Sequence, residues 1–151
     1  MIIKCAVGLL FISVIFLLPG PAGGLCVKVP TANVRSGPGK GYDLVWQVYQ
    51  YMPFERVGTS SSGGWYAVRD VDGDVNWIHK ALLTNSFECG VVKGSEVNVR
   101  RGPGARYGKA SWGPAREYDS FRVLRRSGQW VKVKDELGGI GWIHKKFLWM
   151  K

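Results

Sequence analysis

The chain has 151 residues and a formal net charge of +10, from 21 Lys and Arg against 11 Asp and Glu. It holds three cysteines and two histidines, too few and too scattered for a zinc site or a cysteine-based catalytic cluster. No window shows sustained helical periodicity, so an all-helical protein is excluded as well.

Lys4 gives a short positive region, residues 6–18 form an apolar run, and Pro19-Gly20-Pro21 breaks it ahead of Ala22-Gly23-Gly24, a small-residue cleavage site. The run falls short of the ~20 residues a bilayer span needs. Residues 1–24 are therefore expected to be a cleaved signal peptide, and the mature chain is expected to be exported, to the periplasm or beyond the cell, with no transmembrane helix. Cleavage removes Cys5 and leaves Cys26 and Cys89. In an oxidising compartment such a pair is expected to be a disulfide, closing a long loop at a gain of about 4 kcal/mol. The alternative is a lipid on Cys26, against which Leu25 stands where lipoprotein signals carry a small residue.

Beyond the signal the chain repeats itself at an offset of 65. Asn33-Val34-Arg35-Ser36-Gly37-Pro38-Gly39 returns as Asn98-Val99-Arg100-Arg101-Gly102-Pro103-Gly104, and Trp77-Ile78-His79-Lys80 returns as Trp142-Ile143-His144-Lys145. Between them Gly64-Trp65-Tyr66-Ala67-Val68-Arg69-Asp70 is echoed by Gln129-Trp130-Val131-Lys132-Val133-Lys134-Asp135. Three colinear blocks at one offset define a duplicated domain, with expected bounds of 25–84 and 89–151. Domains of about 60 residues are marginal alone, so a bridge between them would matter.

Within each copy, Gly and Pro separate short runs rich in Val, Trp and Tyr, the spacing of an all-β domain. Alternation predicts Val131 and Val133 inside, with Trp130, Lys132 and Lys134 outside. The same register predicts Tyr66 and Val68 inside, with Trp65, Ala67 and Arg69 outside. The two Gly-Pro-Gly runs are expected to turn the chain, with glycine supplying positive φ. Asp72-Gly73 and Gly138-Gly139 predict tight turns. Residues 80–83 and 145–148 suit one helical turn each. Residues 84–88 form a junction too short for freely swinging domains.

These blocks, taken in order and twice over, resemble the bacterial SH3-like (SH3b) domains of exported cell-envelope proteins. The resemblance implies two tandem SH3-like small β-barrels of five to six strands each. It also implies a binding role, commonly toward peptidoglycan peptides or other wall components, with no cofactor. Trp65 and Trp130, at the strand start that SH3-like folds use as a shelf, are the first candidates for ligand contact; packing against the neighbouring domain is the alternative. Tyr42 and Trp46 in the first long loop, and Tyr107 and Trp112 in the second, could extend an aromatic groove or plug the end of the fold.

The charge divides unevenly. Residues 26–88 carry six Lys and Arg against six Asp and Glu, while residues 89–151 carry fourteen against five. A domain so basic is built to attract something acidic, and Arg101, Arg106, Arg116, Arg122, Arg125 and Arg126, most of them without a counterpart in the first copy, are the candidates. Arg35 and Arg100 recur, which suits a structural duty such as bonding loop carbonyls. His79 and His144 lack a nucleophile and an orienting carboxylate in sequence, and a polar residue in the turn before the last strand accounts for them. Asp70, Asp72 and Asp74 lack the downstream Glu of a calcium loop and read as a hairpin tip. The expected function is non-catalytic binding of peptidoglycan or another acidic wall polymer. The alternative is docking of an exported protein through the aromatic grooves. Nucleic acid conflicts with export.

Overall fold

A computed structural model of the chain describes residues 24–151. The expected signal peptide lies outside the described residues except for Gly24, which opens the first strand. The fold is all-β, with two single-turn 3-10 helices at Lys80–Leu82 and Lys145–Phe147 where one helical turn was expected. Among the described residues no helix is long and apolar enough to cross a membrane.

The first copy forms one antiparallel sheet. Its strands are β1 (Gly24–Val27), β2 (Thr31–Arg35), β3 (Leu44–Tyr49), β4 (Pro53–Thr59), β5 (Trp65–Arg69), β6 (Val75–His79) and β7 (Leu83–Thr84). They pair in the order β3-β2-β6-β5-β4-β1-β7. The second copy has β8 (Cys89–Val92), β9 (Ser120–Ser127), β10 (Trp130–Lys134), β11 (Ile140–His144) and β12 (Leu148–Met150), ordered β11-β10-β9-β8-β12. Its equivalent of β2 joins the edge of β11 through the single bridge of Arg100 to Trp142. An equivalent of β3 is missing, because Gly113-Pro114 interrupts the segment and proline cannot donate to a ladder. Isolated bridges of Arg100 to Lys109 and Val97 to Ala115 replace it.

Alternation builds each core. Val131 and Val133 are buried as predicted, and Phe121, Val99 and Ile143 close around them. In the first copy every strand contributes to one cluster, from Val27 through Val34, Val48, Phe54, Val68 and Ile78 to Leu83. Ala67, expected outside, is buried. It lies directly between Gly58, which has no side chain, and the large Trp77 on the neighbouring strands, beside a register shift in β4.

The two copies are joined by more than their junction. All four residues of β8 are buried. Val91 belongs to the first core and Val92 to the second, because neighbouring side chains in a strand face opposite ways. Cys89, on the Val91 side, is bonded to Cys26, with 6.0 Å between the Cα atoms, so Cys26 has no thiol left for a lipid. The Ser120 hydroxyl donates to the Gln50 carbonyl at 2.7 Å, and the Tyr118 hydroxyl donates to Asp72 at 3.0 Å. Tyr118 meets Trp46 edge-on at 6.1 Å. Lys151, near the end of the second copy, pairs with Glu55 of the first at 3.6 Å.

The hairpin tips follow the turn chemistry. Gly73 and Gly138 hold φ of 91° and 93°, which glycine adopts without cost. Asp70 is buried and accepts from the Asp72 and Asp74 N–H groups, each at 3.0 Å. Burial pushes its carboxyl above the usual range; those backbone bonds oppose the rise and the charges of Asp74 and Asp72 add to it.

Two predictions follow from this architecture. Replacing Cys26 and Cys89 together by Ala should lower the free energy of unfolding by about 2–4 kcal/mol, read from denaturant curves of the oxidised parent and the variant. Since the folded Asp70 holds its proton to higher pH than the unfolded chain does, its contribution to stability falls as pH rises through the carboxyl range. Asp70→Asn keeps an acceptor at the tip, so it should melt higher than the parent at pH 7, with the gap closing below that range.

Candidate functional site

The repeat produces two matching grooves. The first, about 380 Å³, is lined by Thr31, Ala32, Asn33, Arg35, Lys40, Gln47, Trp65, His79 and Leu82. The second, about 250 Å³, is lined by Glu96, Val97, Asn98, Arg100, Ala105, Trp130, His144, Lys146 and Phe147. Asn, Arg, Trp and His recur at one offset in both, and Leu82 gives way to Phe147.

Local structure explains why these side chains converge. Trp65 is directly opposite His79 across β5 and β6, and Trp130 is opposite His144 across β10 and β11. Each pair meets edge to face with ring centroids 5.3 Å apart. Each histidine also caps the 3-10 turn that follows it: His79 Nδ1 accepts the Ala81 N–H and His144 Nδ1 accepts the Lys146 N–H, both at 3.2 Å. That bond occupies the Nδ1 lone pair, so the neutral ring carries its proton on Nε2 and offers a donor. The histidines are thus groove residues as well as turn residues, which spacing along the chain did not show.

The Gly-Pro-Gly turns support the grooves from behind. Arg35 donates to the Tyr42 carbonyl at 2.9 Å and Arg100 to the Tyr107 carbonyl at 3.2 Å, the loop-bonding duty expected of them. Contrary to expectation, none of these four glycines has positive φ. Gly37 and Gly102 are needed for space: a Cβ would stand 2.2 Å from the Tyr42 ring in one copy and 2.4 Å from the Tyr107 ring in the other. Both tyrosines therefore lie on their own turns, behind the arginines, and do not line either groove.

The remaining candidates scatter. Trp46 packs on the first core and against Tyr118. Trp112 donates to the Ile140 carbonyl at 2.9 Å and, with Tyr49, Tyr118, Asp119, Asp135 and Leu137, lines a cleft of about 310 Å³ between the copies. Arg101 donates to the Lys109 carbonyl at 3.0 Å, and Arg106 lies over the Tyr107 ring at 5.1 Å. Arg126 is ion-paired with Glu88. Arg125 lies over Trp142, 5.4 Å from the ring centroid, on the outer face that also carries Trp130. Among the described residues, no group of three or more His, Cys, Asp or Glu is placed to hold a metal ion.

Comparison with known proteins agrees with this doubled architecture. Residues 28–85 match one bacterial SH3 domain family and residues 95–148 match another. The chain belongs to the bacterial SH3 domain proteins, with two such domains in tandem. It is similar to NlpC2 from Trichomonas vaginalis, at 19% identity and a TM-score of 0.36 over 85% of this chain and 47% of that one. An NlpC/P60 family protein from Bacillus cereus matches at 11% identity and a TM-score of 0.35, over 85% and 56%. The endolysin LysPBC5 CBD matches at 16% identity and a TM-score of 0.34, over 89% and 98%. The chain thus spans about half the length of the NlpC proteins it resembles. No curated protein matches it.

The glycine contacts set a test of the groove's support. Gly37→Ala and Gly102→Ala should each cost about 1–3 kcal/mol in thermal or chemical denaturation, because the added methyl overlaps a ring. Gly104→Ala, whose Cβ would stand at an ordinary 3.4 Å from Tyr107, should be close to neutral.

Proposed function

We propose that this protein is a non-catalytic, exported binding module of the cell envelope, whose two grooves take wall components, most directly peptidoglycan peptide or another acidic wall polymer. The observation that carries this reading is the recurrence of one polar-aromatic groove, Asn, Arg, Trp and His, in both domains. An indole beside an amide, a guanidinium and an imidazole N–H offers a flat apolar shelf with donors at its edge. Extended peptides and sugars are held in that way, by stacking along one face and hydrogen bonds along the other.

The chemistry of the lining supports binding over catalysis. Neither groove is lined by Cys or Ser, and the histidine that could act as a base has its Nδ1 engaged in the turn cap. The Cys26–Cys89 disulfide supports an oxidising compartment, the periplasm or the cell exterior. Domain bounds of 25–84 and 89–151 remain the working division of the mature chain, each with its own groove.

The test is sedimentation with purified peptidoglycan. The mature chain should co-sediment, and Trp65→Ala and Trp130→Ala should each weaken retention by about tenfold, the scale of losing a buried aromatic anchor. Because Lys40 is replaced by Ala105 but Lys146 and the surrounding basic surface are added, retention through Trp130 should be the more sensitive to salt. Absence of retention by the parent protein would overturn the wall reading and move the search to crosslinking of an exported protein partner.

A further inference from the structure

The groove around Trp130 does not end at its rim. Side chains two residues apart on a strand share a face and stand about 7 Å apart, and residues directly opposite on neighbouring strands have Cβ atoms about 5 Å apart. The row that contains Trp130 and His144 is therefore followed, on the same outer face, by Arg125, Lys132, Trp142 and Arg100. The next row is Arg122, Lys134 and Ile140.

Two like-charged pairs stand face to face in those rows, Arg125 with Lys132 and Arg122 with Lys134. Directly opposed like charges destabilise a sheet, and no carboxylate relieves them. The ion pairs among the described residues are Arg69–Glu55, Lys151–Glu55 and Arg126–Glu88. Solubility alone does not require this placement, since scattered surface lysines supply it without opposition. The two guanidinium carbons also lie over aromatic rings, Arg125 over Trp142 at 5.4 Å and Arg122 over Phe87 at 4.9 Å. A cation held over a ring in this way is restrained without spending its N–H donors on a protein acceptor, which leaves them for an oxyanion.

The first copy supplies the internal comparison. Its corresponding rows are Gly58, Ala67, Trp77 and Arg35, then Glu55, Arg69 and Val75, where Arg69 and Glu55 are paired at 3.3 Å. The opposed cations were placed on one copy of an otherwise shared face.

We infer that Arg122, Arg125, Lys132 and Lys134 form a binding site for a linear polyanion that runs along the outer face of β9 and β10, continuing from the Trp130 groove. The inference deepens the proposed function, resting on it in taking that groove as ligand-bearing. The class of ligand is a chain with phosphate or carboxylate groups recurring along its length. The first domain's groove, lacking the rows, takes neutral or weakly charged segments.

The experiment measures binding of the full mature chain, disulfide intact, to inorganic polyphosphate and to poly-L-glutamate across a salt series, beside Lys132→Glu/Lys134→Glu. The parent should bind at low salt, with affinity falling as salt rises. The variant should bind at least about tenfold more weakly, with a shallower salt dependence. Its melting midpoint should rise, because each Glu now faces an Arg across the sheet. Loss of binding with a gain of stability is an outcome that damage to the fold does not produce. Binding of polyphosphate alone assigns phosphate, binding of poly-L-glutamate alone assigns carboxylate, and either supports the site. A parent that binds neither probe, a variant that binds as the parent does, or a variant with a lowered midpoint overturns it. Trp130→Ala should keep polyanion binding within about threefold while weakening retention on peptidoglycan about tenfold. Failure on peptidoglycan with polyanion binding intact thus removes the proposed function alone, and the reverse result removes only this inference.

Discussion

One strand of four residues holds the molecule together. In β8 the side chain of Val91 enters the first core and that of Val92 enters the second, while Cys89 ties the same strand to Cys26. A domain of about 60 residues buries too little apolar surface to be robust alone. Here the first domain completes its interior with a residue of the second. Gly90 leaves room in the second domain for Met150, its partner on β12, since a Cβ there would stand 2.8 Å from that side chain. The polar contacts of Tyr118, Ser120 and Lys151 then fix the angle between two bodies that are already joined by their cores.

Given that frame, the copies could diverge on their outer faces without risk to their interiors. The buried positions kept the pattern, with Val68 matched by Val133 and Ile78 by Ile143. The groove kept its Asn, Arg, Trp and His, and two of these also have a structural tie in both copies: the histidine caps a turn and the arginine holds a loop. The outer rows next to the groove kept a Trp and an Arg, Trp77 and Arg35 matched by Trp142 and Arg100, but exchanged Gly58, Ala67 and Glu55 for Arg125, Lys132 and Arg122, so that cations came to stand opposite cations. Loss of a β3 equivalent opened the other side of the second domain and placed Trp112 in the cleft between the copies.

Much of the fold was legible in the sequence because its signals are local. The offset of 65 gave the duplication, alternation in Trp130 to Lys134 gave the inward valines, and Gly73 and Gly138 gave the turns. Local signals failed where a neighbour decides. Ala67 is buried opposite Trp77 on the next strand, a neighbour that alternation within β5 does not register. Gly37 and Gly102 make room for a tyrosine five residues on and do not need positive φ. The four apolar or small residues of β8 show no alternation, so its division between two cores was invisible. At the candidate site, Trp65 and Trp130 were expected from the resemblance to SH3-like folds, whereas His79 and His144 were taken as turn residues only. Tyr42, Trp46, Tyr107 and Trp112 are near the tryptophans in sequence character and not in space. The cationic rows needed strand register: Lys132 and Lys134 were seen to face outward, but their opposition to Arg125 and Arg122 arises only when β9 and β10 pair.

The shared strand also orders events in time. A chain made from its N-terminus exposes the whole of β1 to β7 before residue 89 exists, so for that interval the first interior has a hole where Val91 will lie and Cys26 has no partner. The earlier half therefore waits on the later one, and the first segment of the second repeat acts as the closing piece of the first. Truncation between the repeats would not release two finished domains; it would leave one unfilled and the other with an apolar strand facing water.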